Sequence, residues 1–209
     1  MSNSSPFEQN AEQYDAWFEQ HPFAYQSEVE AIRMLLPEQG KGIEIGVGSG
    51  LFAAPLGIRI GVEPSSTMAE RAKKRGITVF KGVAEALPFQ DHEFDTALMV
   101  TTVCFLDDLD KAFQEVFRVL KPGGAFLIGF VDRNSPIGKA YEQRKNQSLF
   151  YKNATFYTVD DLLLHLKLAG FSMFSFSQTL FGPLDEMREP HQIKKGYGEG
   201  SFVVIKAGK

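Results

Sequence analysis

Near the start of the chain, apolar residues recur at helical spacing among polar ones. An apolar residue is followed by others three, six and seven positions later: Ala11, Tyr14, Trp17 and Phe18. This spacing predicts a short amphipathic helix. A second helix is predicted to begin at Ser27, because Glu30 three residues later completes a capping-box pattern, and to end at Pro37. Two helices therefore precede the first predicted strand.

From Lys41 onward the pattern changes to short apolar runs separated by helical segments. Such runs are typical of strands buried in a parallel sheet. We predict strands at residues 42–45, 58–62, 77–80, 94–100, 125–131, 171–180 and 201–206. The predicted N-terminal caps of the intervening helices are Ser65, Asp107 or Asp108, and Thr158. The alternation predicts a doubly wound α/β fold.

The first predicted strand runs directly into three closely spaced glycines. The sequence there is Gly42-Ile43-Glu44-Ile45-Gly46-Val47-Gly48-Ser49-Gly50. Glycine permits positive φ in a tight turn before a helix, and it lets a ligand approach the main chain. A nucleotide-like ligand is therefore predicted at Gly46, Gly48 and Gly50. An ordinary strand-to-helix turn explains the same three glycines.

An acidic residue ends the second predicted strand. Glu63 follows Gly46 by 17 residues, and a carboxylate at such a position can hold both hydroxyls of a ribose. The ribose of NAD and that of S-adenosylmethionine fit equally well. Leu51 stands where the dinucleotide fingerprint has its last glycine, which disfavours a pyrophosphate. The alternative for Glu63 is a solvated carboxylate at a helix N-terminus.

The loop after the third predicted strand contains small and apolar residues. Ala84, Leu87 and the backbone amides around them are suited to the face of an adenine ring, and ligands bind at this end of the strands. The alternative is that Leu87, Pro88 and Phe89 form a packed loop.

Composition and charge restrict the classes of partner and the cellular compartment that are expected. The 209 residues are 44% hydrophobic, and 22 Lys and Arg against 26 Asp and Glu give a net charge of −4. No basic patch is present for nucleic acid or an anionic membrane, so a small molecule or a protein is the expected partner. The single cysteine, the polar residues after Met1 and the polar interruptions of 168–184 predict a soluble, cytoplasmic protein without a membrane span.

Five motifs, in order, resemble those of the class I S-adenosylmethionine-dependent methyltransferases, especially the ubiquinone and menaquinone biosynthesis branch. They are Glu44-Ile45-Gly46-Val47-Gly48-Ser49-Gly50, Gly61-Val62-Glu63-Pro64-Ser65, Ala84-Glu85-Ala86-Leu87-Pro88-Phe89, Phe94-Asp95, and Arg118-Val119-Leu120-Lys121-Pro122-Gly123-Gly124. The resemblance runs from about Phe7 to Phe171. It implies a mostly parallel, seven-stranded sheet whose last strand is antiparallel.

One methyltransferase domain is expected over residues 1–209. Within it we predict a helical cap at 1–38, a cofactor-binding core at 39–131, a lid insertion at 132–157 and the C-terminal part of the core at 158–209.

The resemblance also implies which residues hold S-adenosylmethionine. The glycines would lie against its methionine and ribose parts, Glu44 would orient the amino group, and Glu63 would bind the ribose hydroxyls. Ala84 and Glu85 would border the adenine. The other residues implied for the cofactor are Pro64, Met68, and the backbone near Val100 and Thr101.

Two positions depart from the family pattern. Many relatives have Asp where this chain has Val83, so Glu85 or a backbone group is expected to contact the adenine amino group instead. Many also carry His or Asn where this chain reads Thr102-Val103-Cys104-Phe105. No catalytic base is therefore inherited from that position.

The acceptor is predicted to bind between the first helix and the long aromatic segment 132–157. The candidate substrate-binding residues are Tyr14, Trp17, Phe18, Arg133 and Tyr157. A connector of this length and aromatic content is typical of a lid. The alternative is that its aromatic residues only pack a helical excursion onto the core.

The predicted reaction is transfer of a methyl group from S-adenosylmethionine to a small molecule by in-line displacement, with S-adenosylhomocysteine as product. Positioning alone contributes on the order of 7–11 kcal/mol to such reactions. No catalytic residue is predicted among His21, His92, His165, His191 and Cys104, and their spacing does not indicate a metal site. The alternatives are a nicotinamide-dependent oxidoreductase and a non-catalytic, S-adenosylmethionine-binding regulatory module.

Overall fold

The computed structural model describes residues 5–209, which form one continuous sheet flanked by helices. The helices are α1 (Ser5–Gln9), α2 (Ala11–Gln20), α3 (Pro22–Arg33), α4 (Ser66–Lys74), α5 (Leu109–Val119), α6 (Pro136–Arg144) and α7 (Val159–Leu168). The strands are β1 (Gly42–Ile45), β2 (Ile60–Val62), β3 (Thr78–Phe80), β4 (Phe94–Val100), β5 (Leu120–Val131), β6 (Ser172–Thr179), β7 (Lys194–Lys195) and β8 (Phe202–Gly208).

The strands lie in the order β3-β2-β1-β4-β5-β8-β6-β7. Strands β1 to β5 pair with one another in parallel, and β8 runs antiparallel between β5 and β6. From β1 the chain adds β2 and β3 on one side. It then returns to the other side of β1 with β4, followed by β5. This topology confirms the predicted doubly wound fold with an antiparallel last strand.

All seven predicted strands are present, and the structure adds an eighth. Strand β7 has two residues and pairs with Ser177 and Gln178 of β6. The Gln178 side-chain oxygen also accepts hydrogen bonds from the backbone N–H groups of Glu199 and Gly200, at 2.9 and 2.7 Å. A polar segment thus covers the edge of β6, where main-chain groups would otherwise lack partners.

Two apolar cores lie on opposite faces of the sheet, because successive side chains of a strand point to opposite sides. Met99 of β4 belongs to the core under α5 and α7, whereas its neighbours Leu98 and Val100 belong to the core under α3. Helices on both faces explain why β4 is a nearly continuous apolar run.

Helix boundaries follow the predicted caps with one exception. Ser65, Asp108 and Thr158 cap α4, α5 and α7, and Thr158 forms a full capping box with Asp161. The predicted cap at Ser27 is wrong, because α3 already begins at Pro22. The Ser27 hydroxyl instead donates to the Phe23 carbonyl and accepts from the His191 N–H.

The sequence predicts a helix after the glycine turn, but no regular helix follows it. Residues 51–57 form consecutive turns, with Pro55 and Gly57 in the stretch where a helix would have to continue. Helices α2 and α3 cover this region, since Phe52 contacts the rings of Phe18 and Tyr25 at centroid distances of 5.7 and 5.5 Å. The N-terminal helices thereby take over packing that a helix after the turn would provide.

Within residues 5–209, no helix combines the length and the apolar character needed to cross a lipid bilayer.

Candidate active site

A cavity of about 720 Å³ lies at the carboxyl ends of the parallel strands. Gly46 follows β1, Glu63 follows β2 and Thr101 follows β4, and all three line the cavity. Because β1 lies between β2 and β4, this is the point where the direction of the sheet reverses, and ligands bind in such crevices. The structure thus brings residues from distant motifs into one space.

The three glycines of the turn have positive φ angles of 70°, 54° and 83° at Gly46, Gly48 and Gly50. Gly46 and Gly48 line the cavity, whereas Gly50 packs behind it. A Cβ atom on Gly46 would lie 2.5 Å from Thr102 Cγ2, and one on Gly50 would lie 2.5 Å from Ile77 Cδ1. Two of the predicted glycines are therefore placed for ligand contact, and the third keeps the turn close to the core.

Glu63 joins two of the motifs at the wall of the cavity. Its Oε2 accepts a hydrogen bond from the Gly48 N–H and its Oε1 accepts one from the Ser65 N–H, each at 2.9 Å. Burial raises the pKa of Glu63 to about 7. These two bonds fix the carboxylate beside Pro64, and each oxygen keeps a further lone pair for a ligand hydroxyl.

Glu44 lies beneath the turn and does not line the cavity directly. Its side chain is 2% exposed, and its Oε2 has no hydrogen-bond partner among the described residues. Burial, reinforced by the charge of Glu63, raises the pKa of Glu44 well above its usual value. A buried acceptor of this kind is costly unless a ligand or a water molecule satisfies it.

The loop after β3 forms an apolar wall with α4. Val83, Ala84 and Met68 line this part of the cavity, and Glu85 and Asp107 border it. Glu85 Oε1 accepts hydrogen bonds from the backbone N–H groups of Asp107 and Asp108, at 3.0 and 3.3 Å. The loop is thereby tied to the start of α5, and Val83, Ala84 and Met68 make one side of this slot apolar.

The end of β4 contributes backbone in an unusual conformation. Thr101 has a φ of 51°, which a β-branched residue rarely adopts, and its N–H donates to the Gly129 carbonyl at 2.8 Å. Its side chain lies near the Tyr14 hydroxyl, and burial raises the pKa of Tyr14. Strained residues of this kind cluster at functional sites.

Aromatic side chains enclose the other half of the cavity. Tyr14, Trp17 and Phe18 come from α2, and Tyr141, Phe150 and Tyr151 come from the segment 132–157. The two groups meet, because the Tyr14 and Phe150 rings lie 6.0 Å apart edge to face. The structure therefore brings together the two segments that were predicted to enclose an acceptor.

Two predicted substrate-binding residues lie away from this cavity. The Arg133 guanidinium pairs with Asp161 at 3.0 Å and donates to the Phe156 carbonyl at 3.3 Å. Tyr157 lines a separate crevice of about 20 Å³ that also includes Cys104. The charged residue that this segment places at the cavity is Arg144.

One carboxylate at the cavity is absent from the sequence prediction. Glu28 comes from α3, is 4% exposed and lines the aromatic half, and burial raises the pKa of Glu28 to about 8. The helical spacing could have indicated it. Ala24 lies four residues before Glu28, and Ala31 and Ile32 lie three and four residues after it, so all four share one buried face of α3. A glutamate within that apolar stripe indicates a buried charge.

Two acidic residues fasten the N-terminal helices over the part of the cavity that contains the glycine turn. Glu8 of α1 accepts hydrogen bonds from the hydroxyls of Ser65, Ser66 and Thr67 at the start of α4, and these bonds lower the pKa of Glu8 to about 2.

Asp15 of α2 is the second fastening residue. It accepts from Ser49 Oγ at 2.5 Å and pairs with Arg71 and Arg75 at 3.1 and 3.0 Å. Because Ser49 belongs to the glycine turn, the helix that supplies Tyr14 and Trp17 is held directly on that turn.

Comparison with known proteins identifies the family. Residues 43–128 match a family described as a methyltransferase domain. The crystal structure of an S-adenosylmethionine-dependent methyltransferase from Thermotoga maritima, described as a possible histamine N-methyltransferase, is 51% identical in sequence. It superposes with a TM-score of 0.97, and the match covers 99% of each chain.

Two relatives extend the comparison. An uncharacterized protein of Methanocaldococcus jannaschii is 45% identical over 203 residues, which are 97% of this chain and 98% of that protein. The ubiquinone/menaquinone biosynthesis C-methyltransferase UbiE of Brucella anthropi is 39% identical over 80 residues, 35% of this chain and 30% of that protein. The predicted family, fold and cofactor are confirmed. The chain belongs to the class I S-adenosylmethionine-dependent methyltransferases.

Proposed function

We propose that this enzyme methylates a small molecule that binds in the aromatic half of the cavity. The observation that carries the proposal is the single continuous cavity of about 720 Å³. One half contains the glycine turn and Glu63, and the other half is enclosed by α2 and the segment 132–157. A volume of this size is typical of sites for small ligands. A methyl donor and an acceptor can therefore lie side by side in it.

The residues of the cofactor half fit S-adenosylmethionine. Glu63 is proposed to hold the ribose hydroxyls, and Gly46 and Gly48 to lie against the ligand, since a Cβ atom at Gly48 would narrow the space below Met68. The unpartnered Oε2 of Glu44, which lies behind the turn, fits a site that an amino group reaches through water. Ala84 and Met68 supply an apolar slot for adenine. When bound, the cofactor supplies an electrophilic methyl group on a sulfonium sulfur.

Positioning is the main contribution proposed for the protein. Tyr14, Trp17 and Tyr141 restrict the acceptor to one side of the cofactor half and keep water away, which favours a reaction that disperses charge. Electron-rich faces of such rings also attract a cation.

The histidines and the cysteine give no evidence of a catalytic role. Burial raises the pKa of the Cys104 thiol to about 12, so it is not a thiolate at neutral pH. His165 Nδ1 is bound to Asp110 and His92 Nδ1 to the Leu120 carbonyl, and neither lines the cavity. Catalysis through positioning therefore remains the proposal.

Label transfer tests this function directly. The protein is incubated with S-adenosylmethionine labelled in its methyl group and with a cell extract separated into small metabolites, proteins and nucleic acids. We expect label in the metabolite fraction. Histamine is added as a pure acceptor, because the relative from T. maritima is described as a possible histamine N-methyltransferase. Label confined to protein or nucleic acid contradicts the proposal.

A variant in the cofactor half is the control. Glu63→Ala removes the acceptor of the ribose hydroxyls and is expected to weaken S-adenosylhomocysteine binding about tenfold or more, since hydrogen bonds to charged groups have this size. An unchanged dissociation constant contradicts the assigned role of Glu63. Binding of S-adenosylhomocysteine without label transfer to any fraction supports a regulatory module instead.

A further inference from the structure

We propose that Glu28 and the aromatic rings around it bind the ammonium group of a small amine, and that this amine is the methyl acceptor. The inference rests on the proposed function and assigns a substrate class to its acceptor half. It begins from a buried carboxylate that the cofactor half does not use.

Glu28 lies in the middle of α3 and faces the cavity. Its side chain is almost completely buried, yet none of the residues from 5 to 209 donates a hydrogen bond to its carboxylate or forms an ion pair with it. Burial is accordingly the single cause that raises the pKa of Glu28 to about 8. Buried carboxylates are normally paired, because an isolated charge in an apolar environment is costly. A cationic ligand supplies the missing partner.

The surroundings of Glu28 suit an ammonium group. Tyr14, Tyr141 and Tyr151 line the same cavity, where burial raises the pKa of each of these phenols and the charge of Glu28 adds a smaller contribution. They are therefore within electrostatic range of the carboxylate. Trp17 adds a further ring to the wall. A carboxylate together with several aromatic faces is a favourable environment for an alkylammonium ion.

The charges of the whole cavity favour the same ligand class. Among the described residues that line it, the carboxyl groups are those of Glu28, Glu63, Glu85 and Asp107, and the basic group is that of Arg144. Glu63 and Glu85 already accept hydrogen bonds from backbone N–H groups. Glu28 is the carboxylate left for a cation in the aromatic half, and an anionic acceptor would be repelled there.

The Glu28 carboxylate can also accept the proton that an ammonium group must lose before methylation. An ammonium nitrogen has no lone pair, so it must lose a proton before it attacks a methyl group. Glu28 can take that proton: an N–H bond breaks with its electron pair left on nitrogen, and an O–H bond forms on the carboxylate. The proton passes to water when the product leaves. A carboxyl group whose pKa is raised toward neutrality is suited to this exchange.

Calorimetry on protein saturated with S-adenosylhomocysteine tests the proposal. The ligands are 2-phenylethylamine and histamine, with 2-phenylethanol as the uncharged counterpart of the first. We expect an amine to bind and the alcohol to bind at least tenfold more weakly. Glu28→Gln is expected to lower amine affinity about tenfold or more and to leave the alcohol unchanged. Glu30→Gln is the matched control, because it makes the same change at an exposed position of the same helix.

Proton release gives a readout that a structural role would not change. Titrations at pH 7 in two buffers of different ionisation enthalpy are expected to show release of about 0.9 proton per amine, because a group with a pKa of about 8 is mostly protonated before binding. The phenols around it, including Tyr25 of α3, have raised pKa values and do not titrate at this pH. Glu63 of the same cavity has a pKa of about 7, and any proton that it exchanges persists in the variant. Glu28→Gln is therefore expected to lower the release by about 0.9 proton relative to the wild type, and Glu28→Asp to retain it.

Three results overturn the proposal. The first is that neither amine binds to the wild-type protein, and the second is that Glu28→Gln keeps amine affinity and proton release. The third is that Glu28→Gln weakens binding of S-adenosylmethionine while amine affinity stays unchanged, which assigns the carboxylate to the cofactor's own positive charge. Failure of S-adenosylhomocysteine to bind any variant is a different outcome, because it contradicts the proposed function itself.

Discussion

Asp15 offers a sharp test of how the N-terminal helices close the site. Asp15 is 7% exposed, and its carboxylate accepts hydrogen bonds from Ser49, Arg71 and Arg75. The substitution Asp15→Asn removes the negative charge but keeps the size of the side chain. Both arginines lose an ionic partner, and α2 loses its attachment to the glycine turn.

The magnitude follows from the partners. Hydrogen bonds to charged groups contribute about 1.5–3 kcal/mol each, but the two arginines are about one third exposed, at 28% and 32%, so solvent screens much of their share. We therefore expect a loss of about 2–4 kcal/mol in the free energy of unfolding. For a chain of this length that loss lowers Tm by about 5–10 °C.

Thermal unfolding with and without S-adenosylhomocysteine measures both consequences. Asp15→Asn is expected to lower Tm and also to weaken binding of S-adenosylhomocysteine, because Ser49 belongs to the glycine turn that is proposed to hold the cofactor. Glu12→Gln is the matched control: it lies on the same helix and pairs with Arg71 at 3.5 Å, but its side chain is 93% exposed. A Tm for Asp15→Asn that equals that of Glu12→Gln refutes this account of how the helix is held.

Three further outcomes are expected. In the folded protein the Glu28 carboxyl, with a pKa of about 8, stays protonated between about pH 4.5 and 8, whereas in the unfolded chain it ionises. The free energy of unfolding of the wild type should therefore fall by up to about 5 kcal/mol as the pH rises through this range. Glu28→Gln should remove this fall, as measured by urea unfolding. An identical pH slope for variant and wild type contradicts the burial of Glu28. Gly46→Ala should lower the free energy of unfolding by about 2–4 kcal/mol, because it combines a positive φ with a contact of 2.5 Å to Thr102. Gly57→Ala is the control, since Gly57 has a positive φ but open space around it, and it should lower the free energy of unfolding by about 1–2 kcal/mol. Equal losses for the two variants argue against crowding at Gly46. Arg133→Ala should change the dissociation constant of S-adenosylhomocysteine less than twofold, since its guanidinium pairs outside the cavity, and a large change places that residue in the site.

Local patterns predict most of the fold. The strands of the sheet and the caps at Ser65 and Thr158 follow from alternation and capping rules that operate over a few residues. The predicted start of α3 at Ser27 is wrong because two local signals compete: Pro22 is also a favourable first residue of a helix. The contact that uses the Ser27 hydroxyl comes from His191, 164 residues away in sequence, and no local rule shows it. Strand β7 is not predicted because its two residues are too few for a periodic pattern.

Short motifs predict one part of the candidate site, and the packing of distant helices determines the other. Its cofactor half follows short motifs, so Gly46, Gly48 and Glu63 are predicted to lie together and do line one cavity. The acceptor half depends on how α3 and α6 pack over the sheet, and sequence spacing does not give that packing. Glu28 is consequently missed. Arg133 is predicted at the cavity, but the structure places it in an ion pair with Asp161.

The most direct test of the central claim is a crystal structure of the complex with S-adenosylhomocysteine. The account predicts that the ribose hydroxyls contact the Glu63 carboxylate, that the adenine lies against Ala84 and Met68, and that the sulfur faces the aromatic half beside Tyr14. A ligand bound elsewhere, or a sulfur turned away from the aromatic half, contradicts methyl transfer within this cavity.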